Sequence, residues 1–444
     1  MKDDRRFIAE STLEARLASS LYSREQRNIR RRLPEPSSFS SSGPIDFSSN
    51  DYLSLASSRN LRNVFLDKLR AAPDVLGSGG SRLLVNGQAH SALEARLAQF
   101  FHSPAAILFN SGFDANVGFF SCVPGEGDAV LCDEYIHASV HDGIRASRVR
   151  DAQFQFEHNS MPAFRAMISK LLKERPELQS GQNSLFVAVE SLYSMDGTFA
   201  PLVEIVQTLE EYFPARNAYL VVDEAHSTGI YGPQGRGRVA QLGLENKVLA
   251  RLHTFGKALA ANGAVILASP LIRDYLVNYA RSLIYTTSLS FANVVAVESS
   301  FDMLMDGTAA QLSKDVLNLS EYLVESLRPR LHNIPVHLLS LPLHLQYLSP
   351  SSEASPIIPI MTSLPRPLSA HLLNLGMNAR PITWPTVPKG KDRVRVCLHA
   401  GNTTSDVDRL IAGMLQWVEM EMQGAANIQA ASQNSSTYAV QSKL

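Results

Sequence analysis

Two stretches of the chain carry chemically capable residue types at short spacing. Tyr219-Leu-Val-Val-Asp-Glu-Ala-His-Ser-Thr-Gly229 delivers Asp223 at the end of an apolar run, with His226 three residues on. Leu252-His-Thr-Phe-Gly-Lys257 places a lysine among small residues, with Gly256, Ala258, Ala260 and Ala261 beside it. An acid at the carboxyl end of a strand sits where open α/β sheets bind ligands. A lysine with room around it can form a Schiff base, and an anionic Asp can keep a pyridine nitrogen protonated so that the ring acts as an electron sink. Pyridoxal phosphate needs such a set. Taken singly, each residue has a plainer reading, since an Asp ending a strand commonly caps a turn and a lone Lys is commonly a solvated charge. A metal hydrolase built on Asp223, His226 and His253 lacks an HExxH-type pair or third-ligand spacing, so no metal is expected.

The elements that would position these residues follow from apolar periodicity. Ala105–Phe109, Ala129–Leu131, Leu185–Val189, Tyr219–Val222 and Gly263–Ala268 are short unbroken apolar runs alternating with helix-period segments. Runs of that kind suit strands covered on both faces, which predicts an α/β fold around a mainly parallel sheet. A helical stretch from Phe291 to Arg330 leads to a different pattern. There Val336–Leu348, Ile357–Met361 and Val394–Leu398 read as strands, with helices near Leu368–Leu375 and Val407–Met422, which predicts a smaller α+β domain. The start, Arg5–Arg32, reads as a helix with apolar residues at Ile8, Leu13, Leu17 and Leu21, then a basic run Arg30-Arg31-Arg32 closed by Pro34. The expected division is therefore 1–48 as an N-terminal helical arm, 49–295 as the large domain, 296–423 as the small domain and 424–444 as a flexible tail.

Composition narrows the function classes. With 444 residues, 41 basic and 42 acidic side chains, 45% hydrophobic residues and a net charge of −1, the chain has the make-up of a soluble globular protein. Interleaved charges of both signs give no long-range field for nucleic acid. No apolar run approaches the roughly 20 residues that span a bilayer, so no membrane partner is expected. Cys122, Cys132 and Cys397 are an odd number, far apart, which fits a reducing compartment rather than a disulfide framework. Asp3, Asp4, Glu10, Glu14 and Glu25 argue against a transit peptide. The last three residues, Ser442-Lys443-Leu444, read as a peroxisomal address following an Ala-, Gln-, Asn- and Ser-rich stretch. They predict an import receptor as partner and the peroxisome as location, with the cytosol as fallback.

The order and company of the motifs go further. Phe47-Ser-Ser-Asn-Asp-Tyr-Leu53, Gly77-Ser-Gly-Gly-Ser81, Asn110-Ser-Gly-Phe113, Ile136-His-Ala-Ser139, Tyr193-Ser-Met-Asp-Gly197, Asp223-Glu-Ala-His-Ser-Thr-Gly229, Thr254-Phe-Gly-Lys257, Ile284-Tyr-Thr-Thr-Ser288 and Pro385-Thr-Val-Pro388 run in sequence order. With them the chain resembles the α-oxoamine synthases, over roughly Arg30 to Met422. The resemblance implies a fold-type I pyridoxal-phosphate transferase: a large domain with a mainly parallel seven-stranded sheet, a smaller C-terminal α+β domain, and a homodimer. It implies Lys257 as the Schiff-base lysine, Asp223 as the pyridinium partner, His137 stacked on the cofactor ring, and His226 with Ser194 near the phenolic oxygen. Glu190 would support the ring pocket. Ser111, Gly112, Phe113 and Thr254 would hold the phosphate, helped across a subunit interface by Thr286 and Thr287.

For substrates, the resemblance implies that Asn50 and Arg395 hold an amino-acid carboxylate, with Arg30 near the active site. Several relatives carry an arginine where this chain has Thr383, so recognition would rest more on Arg395, with Arg380 as a compensating cation. The implied reaction is decarboxylative condensation of an amino acid with an acyl thioester. Arg30-Arg-Arg-Leu-Pro34 and the Phe47–Leu53 motif resemble the 8-amino-7-oxononanoate synthase branch, which implies L-alanine and pimeloyl-CoA as substrates. Another amino acid or acyl thioester, as in secondary metabolism, is the alternative. A non-catalytic partner that keeps the fold would have lost the lysine, and this chain has Lys257.

Overall fold

The computed structural model describes residues 11–27, 29–33, 43–149, 151–347 and 353–441, the last 17 of these by their backbone alone. Its strands are β1 (Ile45–Asp46), β2 (Ala105–Phe109), β3 (Ala129–Asp133), β4 (Gln153–Phe156), β5 (Leu185–Glu190), β6 (Ala218–Asp223), β7 (Ala250–Thr254), β8 (Ala264–Ala268), β9 (Ile357–Met361), β10 (Met377–Asn378), β11 (Arg380–Ile382) and β12 (Arg393–Cys397). Seven of them form one sheet in the order β2-β8-β7-β6-β5-β3-β4. Only β8 runs against its neighbours. Every residue of β3, β5, β7 and β8 is buried, because helices cover both faces, as unbroken apolar strands require. One face packs on Phe119, Phe120, Ile144 and Leu171, the other on Leu93, Leu97, Phe101 and Phe301. Each such fully buried side chain contributes about 1.5–3 kcal/mol.

Two strands of this sheet escape the apolar signal. β7 reads Ala-Arg-Leu-His-Thr, and its polar residues are buried with partners: Arg251 donates to the Phe101 carbonyl at 2.9 Å, while the His253 ring lies 4.1 Å from that of Phe101 and its Nδ1 is 2.9 Å from Thr228 Oγ1. β4 is the edge strand, half polar, so it lacks an unbroken run.

The second sheet, β11-β12-β9, is antiparallel. Val336–Leu348, expected as a strand, is not one over its described residues: it makes a single bridge, Ser340 to Met361, and a short helix at Leu343–Gln346. Pro335 precedes the segment and Pro342 interrupts it, and proline cannot donate to a ladder. The expected helix from Phe291 divides into Phe291–Met305 and Thr308–Leu327 at Gly307, whose φ of +88° suits glycine.

The N-terminal helix spans Thr12–Gln26, starting at a capping box of Ser11 and Glu14, and buries none of its residues. The chain then crosses to the small domain, where β1 pairs in parallel with β10 and Phe47 accepts a bond from the Cys397 amide. That crossing positions Asn50 and Tyr52 between the two sheets. At the other end the backbone of 424–441, expected as a flexible tail, continues the helix that starts at Thr404. Its Ala and Gln content favours helix once a packed segment has nucleated it. Pro34, Ile8, Leu348 and Ser442–Leu444 lie outside the described residues.

Candidate active site

The parallel strands β5, β6 and β7 end side by side, and their registers set Glu190 opposite Asp223 and Asp223 opposite Leu252. Two acids from strand ends thus meet at one edge, with Thr254 and Lys257 arriving from the next strand. Asp223 is buried and accepts from Asn116 Nδ2 at 2.8 Å and from the Ala225 amide at 2.9 Å. Lys257 faces it. Burial lowers the proton affinity of Lys257, Asp223 and Glu190 oppose that shift, and the Arg395 guanidinium adds to it. Glu190 moves the other way, its carboxyl pushed well above the usual range by burial and then by the Asp223 charge. Its Oε1 is buried and makes no hydrogen bond among the described residues.

His137 caps the helix Ala138–Arg145, with Nδ1 2.7 Å from Ser139 Oγ and 3.3 Å from the Ser139 amide. Its ring meets Phe113 edge-on at 6.4 Å. Burial and then the Lys257 charge lower its affinity for a proton, against Asp223 and Asp142. His226 is held neutral still more strongly, by burial and by the cations Lys257 and Arg395. Its Nδ1 lies 2.7 Å from the hydroxyl of Tyr52, a fully buried side chain that also donates to Asn50 Oδ1 at 3.2 Å.

Arg395 enters from β12 of the small domain. It donates to the Ser194 carbonyl at 2.6 Å, to Asn50 Oδ1 at 2.9 Å and to Tyr52 at 3.4 Å. These acceptors are neutral, and among the described residues no carboxylate pairs with it, so a buried cation is left for an anionic ligand. The Tyr193–Gly197 turn brings Ser194 there. At Gly197, with φ +65°, a Cβ would sit 2.1 Å from the Ile357 carbonyl oxygen, so only glycine lets the turn lie against β9.

An anion cradle lies at the start of the helix Gly112–Cys122. Ser111 caps it, accepting from the Asp114 amide at 3.0 Å, and the first-turn amides of Gly112 and Phe113 point out of the helix, where its dipole favours negative charge. A Cβ on Gly112 would lie 3.4 Å from Thr254 Cβ, so the glycine sets the gap that Thr254 borders. Asn110 holds the neighbouring segment, donating to Thr286 Oγ1 at 3.1 Å and to the Thr287 carbonyl at 2.6 Å.

These groups fit pyridoxal phosphate: an amine of lowered basicity, a buried acid opposite it, a second buried carboxyl with an unpaired oxygen, and a helix N-terminus for phosphate. Lys257 would carry the cofactor covalently and Asp223 would meet its ring nitrogen. Arg30 is not brought to this group; it pairs with Glu25 at 3.5 Å on the N-terminal segment. Thr383 accepts from Arg366 at 3.4 Å, and Arg380 is exposed, paired across the strands with Arg395. His253 packs behind the sheet, and no cluster of metal-ligating side chains occurs among the described residues. Asn116, Ser139 and Tyr52 are the site residues without a role in the sequence reading. For Asn116 the available signal is an amide on the buried face of an otherwise apolar helix, and a buried polar group implies a partner.

The family described as "Aminotransferase class I and II" matches residues 42–414. An 8-amino-7-oxononanoate synthase of Emericella nidulans is 43% identical over 92% of this chain and 97% of its own length. The aminoacyl transferase sphA of Aspergillus fumigatus is 40% identical over 83% of this chain and 79% of its own. Among solved structures, a serine palmitoyltransferase of Sphingomonas wittichii shares the fold with a TM-score of 0.76 at 24% identity, covering 91% of this chain and 97% of that one. The chain therefore belongs to the class I and II aminotransferase family, as one of its α-oxoamine synthases, and is a pyridoxal-phosphate-dependent C-acyltransferase.

Proposed function

We propose that this enzyme condenses L-alanine with pimeloyl-CoA, releasing coenzyme A and carbon dioxide and forming 8-amino-7-oxononanoate. The observation that carries the carboxylate half is Arg395, a buried guanidinium with neutral partners only, set beside Asn50. A planar fork of that kind suits an amino-acid carboxylate. The 43% identity to an 8-amino-7-oxononanoate synthase supports the substrate pair. Thr383 and the 40% identity to an aminoacyl transferase favour a second reading, another amino acid or acyl thioester.

When bound, pyridoxal phosphate supplies an electron sink for negative charge at the amino-acid Cα. The Lys257 amine would take the Cα proton and later return one; its lowered basicity suits a base working near neutral pH. Asp223 would hold the ring nitrogen, and Arg395 with Asn50 would fix the carboxylate. His137 donates toward the acyl carbonyl oxygen as charge builds there. His226 and Tyr52, both buried and 2.7 Å apart at Nδ1 and the hydroxyl, would exclude water where they line the site.

The test is absorbance of the purified protein followed by thiol release with L-alanine and pimeloyl-CoA. A cofactor band that responds to L-alanine, together with thiol release, is the expected result. A band without thiol release overturns this substrate pair and sends the search to other amino acids and thioesters.

We also propose a homodimer and peroxisomal import. Val75, Leu76, Leu83, Leu84 and Tyr285 are exposed apolar side chains, and the Phe291 and Ala292 amides donate to the Leu76 and Val75 carbonyls; exposed apolar surface of this kind suits a second copy. Light scattering at twice the chain mass is expected. Deleting Ser442–Leu444 is expected to shift the protein to the cytosol with activity intact.

A further inference from the structure

We propose that Asn116 and Ser139 are positioning residues that hold the His137 ring in the tautomer with its proton on Nε2, so that the ring offers an N–H to the acyl carbonyl oxygen. The role toward the acyl oxygen rests on the function proposed above; the tautomer rests on geometry alone.

The direction of each bond follows from its partners. A carboxylate oxygen such as Asp223 Oδ2 accepts, so Asn116 turns its amide nitrogen toward it, at 2.8 Å. That nitrogen has a second hydrogen, and Ser139 Oγ lies 3.0 Å away to accept it. The single Ser139 hydroxyl proton is then free for His137 Nδ1, 2.7 Å distant. The Ser139 amide, which can only donate, points at the same nitrogen from 3.3 Å. Two donors thus converge on Nδ1 and demand a lone pair there, which leaves the proton of the neutral ring on Nε2. An imidazolium would set an N–H against the Ser139 amide, which can only donate.

The relay has a structural prerequisite. The helices Gly112–Cys122 and Ala138–Arg145 approach so closely that a Cβ on Gly143 would lie 2.8 Å from Phe120 Cβ and 3.1 Å from the Asn116 carbonyl oxygen. Glycine at that position lets a side chain as short as Asn116 reach both Asp223 and Ser139. The same three bonds connect Asp223, the acid that would meet the cofactor nitrogen, to the His137 imidazole, so one buried amide orients both side chains. Burial and the Lys257 charge act in the same sense, keeping the ring neutral.

The test reads the ring nitrogens of His137 directly, by long-range proton–nitrogen NMR on histidine-labelled holoenzyme, with His137→Asn for assignment. The wild type is expected to show a protonated Nε2 and an unprotonated Nδ1. Ser139→Ala and Asn116→Ala are expected to shift the ring toward mixed tautomers and to lower kcat about tenfold, the size of one lost hydrogen bond, with KM for the amino acid and the cofactor band unchanged. Ser139→Thr, which keeps the hydroxyl, is expected to restore the wild-type nitrogen signals. A protonated Nδ1 in the wild type, or ring signals unmoved in both alanine variants, overturns the proposal. The nitrogen signals need no thioester, so a wrong substrate pair leaves them intact and a wrong relay leaves the thiol-release test intact.

Discussion

Asp223 and Glu224 are consecutive buried carboxylates on the two sides of one strand end, and they differ in company. Glu224 accepts from Ser191 Oγ at 2.8 Å, from the Arg238 and Val239 amides at 2.9 and 2.7 Å, and from Ser227 Oγ. Asp223 has two donors and faces Lys257 across the cleft. Arg393 and Arg395 repeat the contrast two residues apart on β12. Arg393 is closed by the Asp196 carboxylate and the Met195 and Lys391 carbonyls, whereas Arg395 meets neutral acceptors only. In each pair one residue has its charge answered by the protein, and the other has charge left for a ligand. Burial alone does not separate the two roles; completeness of the hydrogen bonding does.

Breaking the residue with charge left over should cost chemistry and breaking the answered one should cost stability. The largest effect is expected from Lys257→Ala, with turnover down by on the order of 10⁴-fold or more and the band of covalently held cofactor lost; retention of that band would sink the assignment of the lysine. Asp223→Asn should keep the cofactor and slow turnover by about 10²–10³-fold. Its neighbour's variant, Glu224→Gln, should instead lower unfolding free energy by about 1–3 kcal/mol, measured in urea, because two backbone amides and two hydroxyls lose their charged acceptor. Arg395→Ala should raise KM for the amino acid by about 10–100-fold with unfolding little changed. Arg393→Met should leave that KM alone and cost about 3–5 kcal/mol, the range for removing one partner of a buried ion pair.

The smallest effect concerns pH. His226 is kept neutral when folded, well below the ordinary imidazole value of 6.5, by burial and by Lys257 and Arg395. The unfolded chain therefore binds a proton that the folded chain refuses as pH falls through 6.5, and this contribution to stability is present above that pH and lost below it. His226→Gln should lose about 1 kcal/mol less than the parent between pH 7.5 and 5.5 in urea titrations. Equal losses would place the ring in a less buried setting than the structure shows.

Much of this contrast was legible from residue order. Unbroken apolar runs marked β2, β3, β5, β6 and β8, because a strand covered on both faces has no polar side to advertise. β7 stayed hidden since Arg251 and His253 interrupt its run, and their buried partners, Phe101 and Thr228, are known only once the chain has folded. The segment after Pro335 failed as a strand through missing donors, a local fact that apolar content outweighed. Within the site, Lys257, Asp223, His137 and His226 stand in motifs and Arg395 in the strand-like run Val394–Leu398, whereas Asn116 is a lone amide on the buried face of its helix, and Arg30 pairs with Glu25 on the N-terminal segment.

By itself the sequence determined the strand and helix periods, the strand-end acid and the lysine among small residues, since these depend on neighbours a few positions away. Tertiary structure alone decided which charges stay unanswered. Asn116 meets Asp223 across 107 positions, Tyr52 meets His226 across 174 and Arg395 meets Asn50 across 345. Those meetings are fixed by how the sheets and helices pack, and packing depends on contacts between residues far apart in the chain.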